Sequence, residues 1–539
     1  MNRPLMSGAV LLAVVALASS PVTAATPCGN LKSLTLPNNT KVDSATMVAA
    51  GPFTPPGATT ATSVPAFCRV QGTSRPTSDS EIHFEVWMPA SGWNGKFDQG
   101  GNGGYGGSLG TPAGFMLDGM LRGYATAGTD MGHDAAAMPG GSFALGHPQK
   151  LVDWGYRANH VTAAAAKLII HAYYGTPAFL SYFTGCSDGG HEALMEAQRF
   201  PDDFDGIVAG APANYWTHQS AAWVWEALAG LGVLPISKLP LINAAAVAAC
   251  PGVVPTVIDD PTRCGFDPAS LLCAGADGSS CLTAAQVDAV RKIYAGPRNP
   301  RTGARIYPGL ERGSEAAGGS VGAAGSWFLL IAIPQTFLGA DVWKDMVFQD
   351  PSWDFHTLDF DHDVALADKA VGPIINSTSP NLSDFKALGG KMIIWHGWAD
   401  PLVNPRNSID YVRSVAAAGR GEHGDDQDDS GAAKGTQSFL RLFMAAGLTH
   451  CSGGPGLTTF DTLTAIERWV EQGKAPDKLI ASHTDLAFPD NVMTATPPAG
   501  TFSRPLCPWP EVARYIGKGS KTDARSFVCA HEQGDRDDD

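Results

Sequence analysis

Polar and apolar positions from residue 26 to about residue 212 follow the periods of strands and helices in turn. Residues 81–88 alternate with a period of two, as a half-buried strand does. Residues 158–174 have the length and alanine content of a helix, which Gly175 and Pro177 end. A further helix is predicted at 191–199, and short strands are predicted at 124–129, 179–184 and 204–209. Strands that alternate with helices predict an α/β fold whose parallel sheet is covered on both faces.

This alternation breaks after residue 212. From about Asn214 to Val342 the chain has a tryptophan-rich helical start, a section rich in cysteine and proline, and a glycine-rich run. Strand patterns return at residues 391–395 and 438–443. We therefore predict that residues 25–212 and 343–539 form one α/β domain, into which residues 213–342 are inserted.

Composition and the N-terminus narrow the class of protein. The 539 residues carry a net charge of −15, and no basic stretch indicates a nucleic-acid surface. Residues 1–24 are typical of a signal peptide, with Arg3, an apolar run at 9–18 and small residues before the cleavage site. No other run reaches the ~18 apolar residues of a membrane helix. A soluble, secreted protein is predicted, periplasmic or extracellular; the alternative is an uncleaved anchor.

Export makes disulfides the expected state of the ten cysteines. The alternative, metal ligation, lacks a C-x-x-C pair. Three pairs are close in sequence, a fourth would staple the N-terminus, and two cysteines are then left over. The predicted pairs are Cys250–Cys264, Cys273–Cys281, Cys507–Cys529, Cys28–Cys68 and, from the remainder, Cys186–Cys451.

A G-x-S-x-G pentapeptide is centred on Ser187, in Gly185-Cys186-Ser187-Asp188-Gly189. Two further copies occur, at 106–110 and 318–322, but neither lies between a predicted strand and a predicted helix. A nucleophile elbow needs that context, because a sharp strand-to-helix turn exposes the serine Oγ. Context therefore selects Ser187 as the candidate nucleophile.

A serine nucleophile needs a base, and the base needs a carboxylate that fixes its tautomer. In sheet-based hydrolases the chain order is serine, acid, histidine, and Asp400 and His450 follow the two late strands in that order. The alternatives are that Asp400 is only a turn residue and that His396 is the base. A Cys186–Cys451 disulfide spans about 5.5–6 Å between Cα atoms, so it would bring Ser187 and His450 together.

The oxyanion of such a reaction needs two backbone N–H donors. One is expected from Asp188, which follows the nucleophile, and the other from Gly103 or Gly104 in the glycine-rich loop 100–107. The alternative, a phosphate or dinucleotide cradle, lacks the lysine of a P-loop and the acidic residue of a dinucleotide site.

With these residues in hand, the chain resembles the tannase and feruloyl esterase family, which also contains the hydrolase of mono(2-hydroxyethyl) terephthalate. The matching motifs are Cys186-Ser187, Asp400, His450-Cys451, Gly101-Asn102-Gly103-Gly104, Thr129-Asp130-Met131-Gly132-His133, Arg157-Ala158-Asn159-His160 and 209–213. The resemblance implies an α/β-hydrolase fold with a lid formed by the insert, and hydrolysis of esters of hydroxylated aromatic acids through an acyl-serine. The alternatives are a general aryl carboxylesterase, a terephthalate-monoester hydrolase, or a non-catalytic binding protein on a hydrolase fold.

The resemblance also implies a lid calcium site, held by an aspartate-rich loop. Here the corresponding stretch, Cys250 to Asp260, lacks the early carboxylates of that loop. Calcium needs several oxygen ligands, and Asp259, Asp260 and Asp267 alone are too few. We therefore expect this site to be lost or weakened and no cofactor to be required. The only partner expected is a small aromatic ester, with neither nucleic acid nor membrane.

Overall fold

The computed structural model describes residues 26–317, 325–332, 338–420, 435–486, 489–493 and 500–531. The predicted signal peptide and the pentapeptide copy at 318–322 lie outside these residues. None of the described helices has the length and apolar character needed to cross a membrane.

The described strands are mostly short and apolar. They are β1 (Thr40–Val48), β2 (Gly51–Phe53), β3 (Thr62–Val64), β4 (Phe67–Ser74), β5 (Ile82–Pro89), β6 (Lys96–Gly100), β7 (Ala125–Thr129), β8 (Leu180–Cys186), β9 (Gly206–Gly210), β10 (Lys391–Gly397), β11 (Leu440–Ala445), β12 (Leu479–Ser482), β13 (Ser503–Leu506), β14 (Val512–Tyr515) and β15 (Phe527–Ala530). Nine of them form one sheet in the order β1-β4-β5-β7-β6-β8-β9-β10-β11. The pairs β2–β3, β12–β13 and β14–β15 form small antiparallel sheets.

The large sheet is mixed, whereas the sequence pattern predicts a parallel sheet. From β7 to β11 in this order each strand is parallel to the next, whereas the pairs β1–β4, β4–β5 and β5–β7 are antiparallel. A parallel pair needs a crossover of a dozen or more residues, usually a helix, and no helix lies between β4 and β5. The α/β class is unaffected.

The described α-helices lie mainly between the parallel strands and in the insert. They are α1 (Gly110–Leu121), α2 (Pro148–Val152), α3 (Ala158–Tyr174), α4 (Asp188–Arg199), α5 (Trp216–Gly230), α6 (Leu239–Ala249), α7 (Ala284–Ala295), α8 (Phe328–Ala332), α9 (Leu338–Asp341), α10 (His362–Ala370), α11 (Gly372–Ile375), α12 (Ser383–Ala387), α13 (Pro405–Arg420), α14 (Thr462–Gln472) and α15 (Asp490–Met493). Wider π-helical turns occupy Asp153–Arg157 and Val342–Val347. Short 3₁₀ turns occupy Cys28–Ser33, Ser142–Ala144, Ile236–Lys238, Pro261–Arg263, Pro268–Leu271, Phe355–Thr357 and Ala524–Ser526.

Both faces of the sheet are buried under helices, as β10 illustrates. Met392 and Ile394 pack in one core with residues of α3, α4 and α13, while Ile393 and Trp395 pack in another with residues of α1 and α14. Successive side chains of a strand point to opposite faces, so a strand buried on both is apolar throughout. This explains why the central strands were found in the sequence as continuous apolar runs.

The chain between β9 and β10 contains the predicted insert. Its helices share a core that includes Trp216, Trp223 and Trp327, and the Trp223 indole donates to the Leu402 carbonyl at 2.8 Å. Trp343, beyond the predicted boundary at 342, packs with side chains of α5. The insert therefore contacts the loop that carries Asp400, and its boundaries stay a prediction.

Candidate active site

Ser187 lies at a sharp turn between β8 and α4. Its backbone has φ 66° and ψ −120°, a left-handed conformation that is costly for a residue with a Cβ. The Ser187 N–H donates to the Gly210 carbonyl at 2.9 Å, which holds the turn against the neighbouring strand β9. The residue is only partly buried, and it lies at the carboxyl end of the parallel strands, where ligands bind in open α/β sheets.

The two glycines of the pentapeptide are required by close packing. A Cβ added to Gly185 would lie 2.4 Å from the Gly189 carbonyl oxygen, and one added to Gly189 would lie 2.8 Å from the Asn102 carbonyl oxygen. Neither neighbour is a flexible side chain that could move aside. By contrast Ser108, in the copy at 106–110, lies in the loop between β6 and α1.

The structure brings the three predicted side chains into one hydrogen-bonded series. His450 Nε2 is 2.8 Å from Ser187 Oγ, and His450 Nδ1 is 2.7 Å from Asp400 Oδ2. Ser187 follows β8, Asp400 follows β10 and His450 follows β11, so three parallel strands of one sheet carry all three side chains to the same edge. With Nδ1 donating to the carboxylate, Nε2 is free to accept the serine proton.

The surroundings of Asp400 favour its ionised form. Its carboxylate is fully buried, and Oδ1 accepts the backbone N–H groups of Leu402 at 2.8 Å and Val403 at 2.9 Å. Burial opposes ionisation, but the neighbouring His450 and His396 outweigh it and hold the pKa of Asp400 below its usual range. A permanently charged acceptor keeps the His450 ring in one tautomer.

His396, the alternative base, lies beside Asp400, with its Nε2 3.3 Å from Asp400 Oδ2. The ring is fully buried, with Nδ1 2.8 Å from Ser408 Oγ and Nε2 3.0 Å from the Val403 carbonyl. Both of its nitrogens therefore have partners within the protein, and the geometry assigns it to the support of the Asp400 loop.

All five predicted cysteine pairs are joined as disulfides in the structure. The Cys186–Cys451 bond, with Cα atoms 6.1 Å apart, links the residue before Ser187 to the residue after His450. It spans 265 positions of sequence and ties the end of β8 to the loop after β11.

The expected oxyanion donors differ in their availability. Asp188 is the first residue of α4, where backbone N–H groups have no intrahelical acceptor, and its N–H donates to no described residue. The N–H of Gly103 donates to Asn102 Oδ1 at 3.0 Å. That of Gly104, at φ 61°, donates to no described residue.

Asn102 and Glu192 are site residues that the sequence analysis did not assign. The Asn102 amide Nδ2 donates to the carbonyls of Ser108 and Thr129, and the Glu192 carboxyl accepts the Asn102 backbone N–H at 2.9 Å. A charged residue on a helix is usually exposed, so no sequence signal marked Glu192 as buried beside this loop.

The aspartates considered for calcium already have protein partners. Asp259 accepts the Val253 N–H and pairs with Arg504, each at 2.7 Å. Asp260 accepts from Thr262, and Asp267 pairs with Arg291 at 2.8 Å. Within the described part of the chain, none of the three belongs to a cluster of three or more metal-ligating side chains. This donor set does not fit calcium, and loss of the site stays a prediction.

Comparisons with known proteins agree over nearly the whole chain. Residues 68–530 match the family model described as tannase and feruloyl esterase. An uncharacterised esterase of Xanthomonas campestris pv. campestris is 42% identical over 96% of this chain and 93% of its own length. The mono(2-hydroxyethyl) terephthalate hydrolase of Piscinibacter sakaiensis is 33% identical over 90% of this chain and 88% of its own length.

The fold is shared with a solved structure. Feruloyl esterase B from Aspergillus oryzae superimposes with a TM-score of 0.79 at 26% identity, covering 93% of this chain and 99% of that one. The predicted α/β-hydrolase fold is thereby confirmed.

Proposed function

This chain belongs to the tannase and feruloyl esterase family of carboxylic ester hydrolases, and we propose that it is a secreted serine esterase for esters of hydroxylated aromatic acids. The observation that carries the proposal is the hydrogen-bonded series Ser187–His450–Asp400 at a strained elbow. Membership of the tannase and feruloyl esterase family and the structural likeness to feruloyl esterase B support the feruloyl or galloyl class of acid.

In the first half of the reaction, Ser187 Oγ attacks the ester carbonyl carbon while its proton passes to His450 Nε2. The tetrahedral adduct then collapses: the bond to the alcohol oxygen breaks, and the same proton leaves Nε2 for that oxygen. The acyl group remains bonded to Ser187 Oγ. Asp400 stabilises the positive imidazole throughout and stays ionised.

In the second half, water attacks the acyl carbon and gives a proton to His450 Nε2. The carbon–Oγ bond breaks, the proton returns to Oγ, and the free aromatic acid leaves. In both tetrahedral adducts the negative oxygen would lie between the N–H groups of Asp188 and Gly104. Gly104 is preferred to Gly103 because the Gly103 N–H is already bound by the Asn102 side chain.

Secretion is supported by the sequence of residues 1–24 and by five disulfides, which persist in oxidising compartments. The expected absence of a cofactor is part of the same proposal, since every step uses groups of this chain and water.

A second substrate class, a terephthalate monoester, is favoured by one observation. The relative named mono(2-hydroxyethyl) terephthalate hydrolase is 33% identical over 90% of this chain. Initial rates on methyl ferulate, methyl gallate and mono(2-hydroxyethyl) terephthalate would rank the three acids directly.

The catalytic proposal is tested by Ser187→Ala, with Ser108→Ala as the matched control in the other pentapeptide copy. We expect Ser187→Ala to lower kcat on the best substrate at least about a thousandfold and to abolish labelling by a fluorophosphonate probe. Ser108→Ala should retain the rate within about twofold. A Ser187→Ala protein that hydrolyses the ester at the wild-type rate would rule out this nucleophile.

A further inference from the structure

The glycine-rich loop that supplies Gly104 is attached to α4 through the backbone of one residue, Asn102. On one side the Gly189 N–H donates to the Asn102 carbonyl at 3.0 Å. On the other side the Asn102 N–H donates to Glu192 Oε2 at 2.9 Å. Ser187 immediately precedes α4, so both hydrogen bonds link the nucleophile's own helix to the loop.

The backbone of the loop packs closely against α4 at this junction. A Cβ added to Gly101 would lie 2.8 Å from Gly189 Cα and 3.0 Å from Glu192 Oε2. Asn102 is buried, so its N–H has no access to water, and an unpaired buried N–H costs about 1–3 kcal/mol. The Glu192 carboxyl is therefore the acceptor that holds this N–H in place.

The burial of Glu192 needs an explanation, because a carboxyl group is costly to bury without a cation. Glu192 is 2% exposed, and Asp188, one turn earlier on α4, is fully buried. Neither forms an ion pair with a lysine or arginine in the described ranges. Burial raises the pKa of both carboxyls well above the usual range, and the charge of Asp188 adds to the effect on Glu192. Burial therefore favours the neutral form of both carboxyls, and the hydrogen bond from the Asn102 N–H is the contact that Glu192 makes with the loop.

We propose that Glu192 is a positioning residue of the oxyanion hole: by accepting the Asn102 N–H, it fixes the loop so that the Gly104 N–H converges with that of Asp188. This inference rests on the proposed esterase function. Glu192 contacts neither the nucleophile nor its base in the structure, so its effect passes through the loop. The hydrogen bond, rather than the charge of the carboxyl, is the property that matters.

The test compares three substitutions with a control on the same helix. Glu192→Gln keeps an acceptor oxygen at the same reach, Glu192→Asp withdraws it by one methylene, and Glu192→Met removes it. The control is Glu196→Met, since Glu196 is equally buried one turn further along but faces Asp203. Rates are expressed per active site, titrated with a fluorophosphonate, so that unfolded protein does not count.

We expect Glu192→Met and Glu192→Asp to lower kcat about 10- to 100-fold with KM within about threefold, since losing an oxyanion donor outright costs about 100- to 1000-fold. Glu192→Gln and Glu196→Met should stay within about threefold of wild type. An aryl boronic acid, which forms a tetrahedral adduct on Ser187, should lose affinity by the same factor as kcat, while inhibition by free ferulate should not change.

Wild-type kcat in both Glu192→Asp and Glu192→Met would overturn the inference. So would a fall in kcat without a matching loss of boronate affinity, which is what a merely structural role gives. If Glu192→Met does not fold, equal kcat in Glu192→Asp and Glu192→Gln overturns it alone. Failure of the esterase proposal looks different: the wild-type protein itself would neither hydrolyse the esters nor be labelled.

Discussion

The Cys186–Cys451 disulfide is expected to support both stability and catalysis, so its removal should lower both. Both residues are buried, and the bond joins the flanks of Ser187 and His450. The variant is C186A together with C451A. The matched control is C273A together with C281A, which removes a partly exposed disulfide that lies in the predicted insert.

The expected stability losses follow from the lengths of the loops that the two bonds close. The Cys186–Cys451 bond spans 265 positions and the Cys273–Cys281 bond spans 8. Chain entropy alone gives about 5–6 kcal/mol for the longer loop and about 2.5 kcal/mol for the shorter one at 25 °C. Catalysis adds a second contrast, because a displacement of about 1 Å between Ser187 and His450 would cost about 100-fold in kcat.

The assay pairs urea unfolding midpoints with kcat on the best ester, each rate divided by the titrated active sites. The first variant should show the larger fall in midpoint and a fall in kcat of about 10- to 100-fold. The control variant should lose less stability and keep the wild-type kcat. Equal losses of stability, or a wild-type kcat in the first variant, would refute the reasoning that this bond positions the two side chains.

Three further predictions concern stability. Burial, with nearby Lys150, lowers the pKa of His133 to about 4 from its usual 6.5. The stability that the neutral His133 ring contributes to the fold is therefore fully present above about pH 6.5 and is lost as the pH falls towards 4. This pKa shift changes the free energy of unfolding by about 3 kcal/mol at most. The drop in urea midpoint from pH 7 to pH 4.5 should therefore be smaller in His133→Gln than in the wild-type protein. An equal drop in the two proteins would contradict this role of His133. Because Asp259 pairs with Arg504, excess EDTA or added calcium should leave the melting temperature unchanged. Arg504→Met should cost about 1–2 kcal/mol in the unfolding free energy, and a calcium-dependent melting temperature traced to the loop 250–260 would show that the site is retained.

The local pattern of the sequence predicted much of the sheet and the order of the site residues. The predicted strand 179–184 is Leu180–Cys186, the predicted helix 158–174 is Ala158–Tyr174, and the helix predicted at 191–199 begins earlier, at Asp188. The strand β8 is recognisable because both of its faces are buried, and the elbow is recognisable because two glycines must flank Ser187. The helix Pro405–Arg420 was not predicted.

The sequence by itself determined the properties of neighbouring residues. These are the periodicity of apolar positions, the glycines and prolines at turns, and the side chains that follow each strand. It placed Ser187, Asp400 and His450 in order, and the cysteines beside two of them indicated that these two meet. The tertiary structure decided everything that depends on contact across the chain. It made β1, β4 and β5 pair antiparallel, and it buried Glu192 beside the glycine-rich loop, where it accepts the N–H of Asn102. Burial and hydrogen-bond partners are set by residues far apart in sequence, and no local pattern carries that information.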